Sequence, residues 1–385
     1  MKTLITGSTG FIGRHLTQAL VARGRHVRCL VRALSDTSSF LGNPMIELAC
    51  GDLEDPRWVT KCLDDADVVY HLAVDYSNHS IESVRVLTDA AREARVRRFV
   101  FMSSIAAMGA PGGGRLATED TPGVPEGDYG RAKHAGEAIV REAHVEHGLP
   151  TVVLRPTSVY GPGDVNFWLP LFRGVAGGRL PVFGDGSNLL NLCFVENLID
   201  AALLAEESDR AVGQAYIVSD RQPYRLIDVM LAIAGACGAP APRPTIPGWG
   251  AAPVAQLLDY LWRLDVIEPI IPFLSAHVRR WMADYACRVD KASRELGYSP
   301  RIGLEEGVRQ TVAWYRRNGY LLPTEPWRDG ILDAPPTAEP VPHWRRSLTV
   351  AGHAALIAGR VAALTWKLPP RLSRKMRRRF GWART

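Results

Sequence analysis

The first thirteen residues constrain this chain more than any other stretch. Lys2-Thr3-Leu4-Ile5-Thr6 is a short apolar run, and Gly7-Ser8-Thr9-Gly10-Phe11-Ile12-Gly13 follows at once. Apolar residues at helical spacing then continue from Phe11 to about Ala22. The pattern predicts strand, glycine turn, helix. Gly7 permits the sharp exit from the strand, Gly10 lets backbone come close to a pyrophosphate, and Gly13 lets the helix pack tightly on the strand. Amides at the helix start have no carbonyl partner inside the helix and favour an anion. The position after a strand and before a helix separates a nucleotide-binding turn from an ordinary one.

The alternation continues. Strands are expected at His26–Val31, Met45–Ala49, Asp67–His71, Arg98–Ser103 and Thr151–Arg155, with helices at Ser80–Ala94 and Tyr129–His147. This order predicts an α/β fold with a Rossmann-like, doubly wound parallel sheet and ligands at the carboxyl ends of its strands. The second half is less regular. Gly161–Leu192 is rich in Gly, Pro and aromatics, Val195–Glu206 is helical, Ala215–Val218 is a strand and Leu226–Cys237 a helix. Gly238–Pro247 reads as a linker, Val254–Met282 as a strongly apolar stretch, and Leu304–Arg317 as the last amphipathic helix of the body. We therefore expect a dinucleotide-binding domain over 1–160, its sheet completed by parts of 193–220. A smaller, interleaved substrate-binding lobe is expected over 161–330, with a Pro-rich linker and basic tail over 331–385.

Charge separates the body from the tail. The chain carries a formal charge of +6, but residues 344–385 hold 11 Lys/Arg and no Asp/Glu. Removing them leaves 35 basic against 40 acidic residues, a balance of −5. That argues against a nucleic-acid-binding body. The cysteines are scattered, with no C-x-x-C pair, which predicts reduced thiols, no metal site and a cytoplasmic setting. No signal peptide is expected before the first strand.

Tyr129 and Lys133 are spaced to share one face of a helix, one turn apart. A nearby ammonium stabilises phenolate, so Tyr129 becomes a candidate acid or base on a hydroxyl or carbonyl. The preceding strand ends in Met102-Ser103-Ser104, where a serine hydroxyl can hydrogen-bond the same substrate oxygen.

Gly-x-x-Gly-x-x-Gly, Tyr-x-x-x-Lys and the strand-end serine together resemble the short-chain dehydrogenase/reductase superfamily. "FMSSIAAMG", "GDLEDP", "YHLA", "LRPTSVYGPGD", "FVENLIDAALLA" and "GQAYIVSD" resemble its extended members. The resemblance covers about residues 1–325. It implies Ser104, Tyr129 and Lys133 as catalytic residues. It implies a cofactor cradle of Thr6, Gly7, Thr9, Gly10, Phe11, Ile12 and Gly13, with Asp52 and Leu53 at the adenine and Leu72 and Ala73, beside His71, at the adenosine. Ser103, Arg155, Pro156 and Ser158 would lie near the nicotinamide. The family's fourth catalytic member, an Asn, has no match; Ser80 falls where it would be. Dimers formed through two helices are common in the superfamily, and the helices near Ser80–Ala94 and Tyr129–His147 would serve.

The second strand ends at Arg32, where NAD-preferring members carry Asp or Glu. A guanidinium suits a 2′-phosphate, so NADP(H) is favoured, with NAD(H) the alternative through Asp36. Ser158 replaces the Asn of sugar-nucleotide enzymes, and Leu190 takes the place of their diphosphate-binding Arg. The pattern looks most like the 3β-hydroxysteroid and sterol dehydrogenase branch. It implies hydride transfer at a secondary alcohol or ketone of a small apolar substrate. The alternatives are a nucleotide-sugar epimerase or dehydratase, and a non-catalytic cofactor-binding protein. In the tail, Leu348–Leu368 is largely apolar but interrupted by His353, Arg360 and Lys367, with basic residues at both ends. It suits a helix lying peripherally in the headgroup layer better than a spanning one; a disordered basic tail, and a helix packed on the body or on a partner subunit, are the alternatives.

Overall fold

Short runs of Val, Ile, Leu and Phe between glycine- and aspartate-containing turns build the centre of the protein. The computed structural model describes residues 1–74, 79–109, 116–125, 127–178, 180, 182–242, 244–263 and 286–321. In chain order the first half runs β1 (Lys2–Thr6), α1 (Phe11–Ala22), β2 (His26–Val31), β3 (Ile46–Cys50), α2 (Pro56–Leu63), β4 (Val68–His71), α3 (His79–Glu93), β5 (Arg98–Met102), α4 (Gly127–Val145) and β6 (Thr151–Pro156). The second half runs β7 (Ser158–Tyr160), α5 (Leu169–Ala176), β8 (Val182–Phe183), β9 (Leu189–Leu190), β10 (Leu192–Phe194), α6 (Val195–Glu207), β11 (Gln214–Val218), β12 (Tyr224–Arg225), α7 (Leu226–Cys237), β13 (Pro244–Ile246), α8 (Gly248–Arg263), α9 (Asp290–Leu296) and α10 (Leu304–Arg317).

Seven strands form one parallel sheet in the order β11-β6-β5-β4-β1-β2-β3. Every residue of β4 and β5 is buried, as expected for strands covered on both faces. The strand order reverses beside β1, whose neighbours are β2 and β4, and such a reversal opens a crevice at the strand ends. One apolar cluster packs α1 and α6 on one face, through Leu16, Leu20, Leu198 and Ala202. A second packs α2, α3 and α4 on the other, through Val59, Leu87 and Val140. A third, separate in its side chains, gathers α5, α7 and α10 around Phe172, Ile233 and Tyr315.

Several expected boundaries move. The third strand is displaced by one residue to Ile46–Cys50, and the long helix begins at Gly127. Helix α2 was not anticipated; Asp55 caps it by accepting from the amides of Arg57 and Trp58, and Pro56 opens it. The expected linker contains β13, which pairs with β8. The apolar stretch read from Val254 begins inside α8; its part over 264–285 lies outside the described residues. So does the tail, with the membrane-surface helix expected there. Among the described residues no helix is long and apolar enough to cross a membrane.

Candidate active site

The glycine turn has the close packing its spacing predicts at Gly7 and Gly13. Gly7 has φ +72, and a Cβ there would stand 2.7 Å from the amide nitrogen of Ala73. A Cβ on Gly13 would stand 2.1 Å from the carbonyl oxygen of Gly7, so only hydrogen allows α1 to start this close to β1. Gly10 is the extended N-cap of α1. The loop is stitched from outside by Arg14, which donates through Nε to Thr9 O at 2.8 Å and through Nη2 to Asp36 Oδ2 at 2.8 Å.

These residues open onto a cavity of about 1110 Å³ at the strand ends. That exceeds the roughly 300–1,000 Å³ typical of sites for a single drug-sized ligand. Gly7, Thr9, Gly10, Phe11, Ile12 and Gly13 line it, as do Arg32, Asp52, Leu53, Leu72, Ala73, Ser103, Pro156 and Ser158. Ser104, Tyr129 and Lys133 line the same cavity. The glycine cradle, a row of first-turn amides and a cavity of this size together suit a dinucleotide.

Lys133 is buried, and its Nζ donates to the main-chain oxygen of Met102 at 2.6 Å. The ammonium also stands 5.1 Å above the ring centre of Phe101. Burial pushes its pKa down to about 8, against the opposing charge of Glu137. Tyr129 is half-buried one turn earlier on the same helix. Gly130 lets this part of α4 approach β5's exit; a Cβ there would lie 2.5 Å from Ala106 O. Ser104 is an extended residue whose hydroxyl accepts from the amide of Ala106 at 3.2 Å, which leaves its proton available to another acceptor. The three residues can therefore hold a substrate oxygen and pass a proton to or from it.

Two expected cofactor residues do not line the cavity. Thr6 Oγ1 shares a 2.6 Å hydrogen bond with His71 Nδ1 and accepts from Ala73 N at 3.2 Å. It fastens β1 to β4 where the strand order reverses. His71 is pushed down to about 3, first by burial and then by the charge of Lys133, so its ring is neutral. Arg155 turns beneath the site to Glu137, with Nη2 to Oε2 at 2.7 Å and Nε to Oε1 at 2.9 Å. The alternation of side chains along β6 sends it away from the cavity that the next residue, Pro156, lines.

Other lining residues had weak or no sequence signals. Ser83 on α3 lines the cavity, whereas the side chain of Ser80 lies outside the described residues. The indole of Trp58 also lines it and requires Gly51, where a Cβ would lie 2.2 Å from the ring. Asn166 and Phe167 arrive from the run after Tyr160. Asp164 places them: it is buried and accepts from the amides of Asn166, Phe167 and Trp168 at 3.0–3.1 Å. His15 ties the same run to α1 through Pro162 O at 2.7 Å.

The sequence model of the NAD dependent epimerase/dehydratase family matches residues 3–219, which hold the cradle and all three catalytic candidates. The chain belongs to this family. It is an extended short-chain dehydrogenase/reductase, an NAD(P)-dependent enzyme of the dehydrogenase/reductase type. It is 30% identical to 3beta-hydroxysteroid-dehydrogenase/decarboxylase isoform 1 of Arabidopsis thaliana, over 80% of this chain and 78% of that one. It is also 30% identical to a 4-hydroxy-2-methyl-3-oxo-4-farnesyl-3,4-dihydroquinoline-1-oxide ketoreductase of Stigmatella aurantiaca, over 80% of this chain and 95% of that one. Among solved structures, UDP-glucuronic acid 4-epimerase from Bacillus cereus, in complex with NAD, superposes with a TM-score of 0.66 at 22% identity. That match covers 83% of this chain and 99% of the epimerase, and it shows a shared fold.

Proposed function

We propose that this enzyme interconverts a ketone and a secondary alcohol on an apolar skeleton of steroid, sterol, terpenoid or polyketide type. When bound, the nicotinamide would supply the hydride as NAD(P)H in reduction and accept it as NAD(P)+ in oxidation. The residues of the chain do the rest. Ser104 orients the carbonyl oxygen, Tyr129 gives or takes its proton, and Lys133 keeps positive charge beside that proton transfer and holds the cofactor ribose. The observation that carries this reading is the convergence of Ser104, Tyr129 and Lys133 on the cavity bordered by the glycine cradle. Apolar walls of Met102, Val159 and Phe167 in the same cavity support an apolar substrate. Two relatives at 30% identity, one named for a steroid and one for a farnesylated quinoline, support it further. Leu190 is partly buried against the C-terminal apolar cluster, which supports a ketone over a sugar diphosphate.

We favour NADP(H). Arg32 is exposed and lines the cavity, whereas Asp36, the alternative ribose partner, is committed to Arg14 and Ser38. The arginine and serine beside Asp36 hold its carboxyl well below the usual carboxylate range.

The test is a spectrophotometric panel of 3-ketosteroids, long-chain β-keto acids and UDP- and dTDP-sugars, with NADPH and NADH. Turnover of an apolar ketone, lost in Tyr129→Phe with cofactor affinity retained, is expected. Conversion of a nucleotide sugar, or full activity in Tyr129→Phe, overturns the reading.

A further inference from the structure

One turn beyond Lys133 on α4 lies Glu137, only 11% exposed at its side chain and paired with Arg155 of β6, itself 14% exposed. Ionised groups this buried are costly to place unless geometry and hydrogen bonding compensate. Here each group has several hydrogen-bond partners. Arg155 reaches both carboxylate oxygens of Glu137, and its Nη1 donates to the main-chain oxygen of Glu119 at 2.8 Å. The carboxylate also accepts a hydrogen bond from the hydroxyl of Ser103. Ser103 is fixed from behind as well, since its amide donates to Leu154 O at 2.8 Å. Glu119 extends the connection to β11 by accepting from Ile217 N at 3.0 Å.

The pair therefore grips the residue between Met102, whose carbonyl receives Lys133, and Ser104. We propose that Glu137 and Arg155 are positioning residues for the proton-transfer site, holding the end of β5 in place and balancing charge beside the Lys133 ammonium. The inference rests on the catalytic reading of Lys133 and Ser104 above. Neither residue touches substrate; both act through others.

Among the described residues, Glu137 of α4, the neutral His71 of β4, the Phe101 ring and Met102 carbonyl of β5, and Arg155 of β6 by way of Glu137 surround Lys133, and Tyr129 of α4 lines the same cavity. Glu137 favours the charged lysine. Glu137→Gln leaves an unopposed Arg155 and disfavours it. Arg155→Met leaves an unopposed Glu137 and favours it further. The two variants thus push Lys133 in opposite directions, which simple loss of packing does not do.

The experiment records kcat/KM against pH, and the pH dependence of NAD(P)H affinity by nicotinamide fluorescence, in both variants and in the double variant. The fall at high pH is expected to move on the order of one pH unit lower in Glu137→Gln, and higher in Arg155→Met. The double variant should restore it. Ser103→Ala, which breaks the grip but keeps the pair, should lower kcat about 10- to 100-fold with the high-pH fall in place. Should one charge variant not fold, the sign of the other and the Ser103→Ala result decide. High-pH limbs that coincide with wild type in the folded charge variants overturn the electrostatic role. Full kcat in Ser103→Ala overturns the positioning role. Full activity of Tyr129→Phe defeats the catalytic reading instead, so the two failures are distinguishable.

Discussion

Lys133 Nζ is fastened across 2.6 Å to the carbonyl oxygen of Met102, immediately before Ser103 and Ser104. The contact joins α4 to the end of β5 and sets the lysine at the cavity in a buried position. Burial opposes the charge the lysine carries there, and this has a measurable consequence. Its pKa falls from an ordinary 10.5 to about 8 in the fold. Between those values the unfolded chain binds more protons than the native one, so this group's contribution to stability rises with pH across that window. In the cofactor-free protein, wild type should gain roughly 3 kcal/mol relative to Lys133→Met between pH 7 and 10.5. Urea unfolding at several pH values measures it; parallel curves for the two proteins would contradict the assignment.

The glycine turn separates two substitutions that look alike in sequence. Gly13→Ala drives a Cβ to 2.1 Å from Gly7 O, whereas Gly10→Ala meets the same oxygen at 3.3 Å. Gly13→Ala should destabilise the protein by about 1–3 kcal/mol and weaken reduced-cofactor binding at least about 10-fold. Gly10→Ala should be milder in stability. Thermal unfolding and fluorescence titration of the two variants check the order.

Arg32 should decide between the two cofactors. Loss of a charge-assisted contact to a 2′-phosphate should raise the KM for NADPH about 10- to 100-fold in Arg32→Ala, with little change for NADH. Asp36→Ala, by contrast, should affect both cofactors alike, through the Arg14 stitch to the glycine loop. An equal loss for both cofactors in Arg32→Ala would count against a phosphate contact.

Outside the cavity lining, Glu206 is fully buried at the end of α6. It receives Arg25, Arg97 at 2.6 Å and the hydroxyl of Tyr70 at 2.7 Å. Glu206→Ala leaves those groups without their acceptor and should cost about 3–5 kcal/mol. Activity per folded molecule should be retained, and paired chemical denaturation and kinetics at low temperature would show it.

Much of the site was legible because its signals are local. Gly7, Gly10 and Gly13 are read from spacing; the clash that bars a Cβ at Gly13 arises inside the strand-turn-helix unit, whereas at Gly7 it comes from the distant Ala73. Tyr129 and Lys133 share a helix face by periodicity. Helices α7 and α10 start and stop where their apolar patterns predict. Short elements were less legible: α2 is eight residues long and β13 three, and neither holds enough periodic pattern to be distinguished from loop.

The sequence by itself determined the strand–helix alternation, the nucleotide turn and the Tyr129–Lys133 pair, because each is a local pattern; Ser104, 25 positions before Tyr129, was reached through the family resemblance. Only the tertiary structure decided which groups face the cavity. It turned Arg155 to Glu137 across 18 positions, Thr6 to His71 across 65 and His15 to Pro162 across 147. It also brought Trp58, Asn166 and Phe167 to the cavity wall. Those outcomes depend on pairing buried polar groups and filling space between elements distant in the chain, and no local pattern records which partner will be nearby.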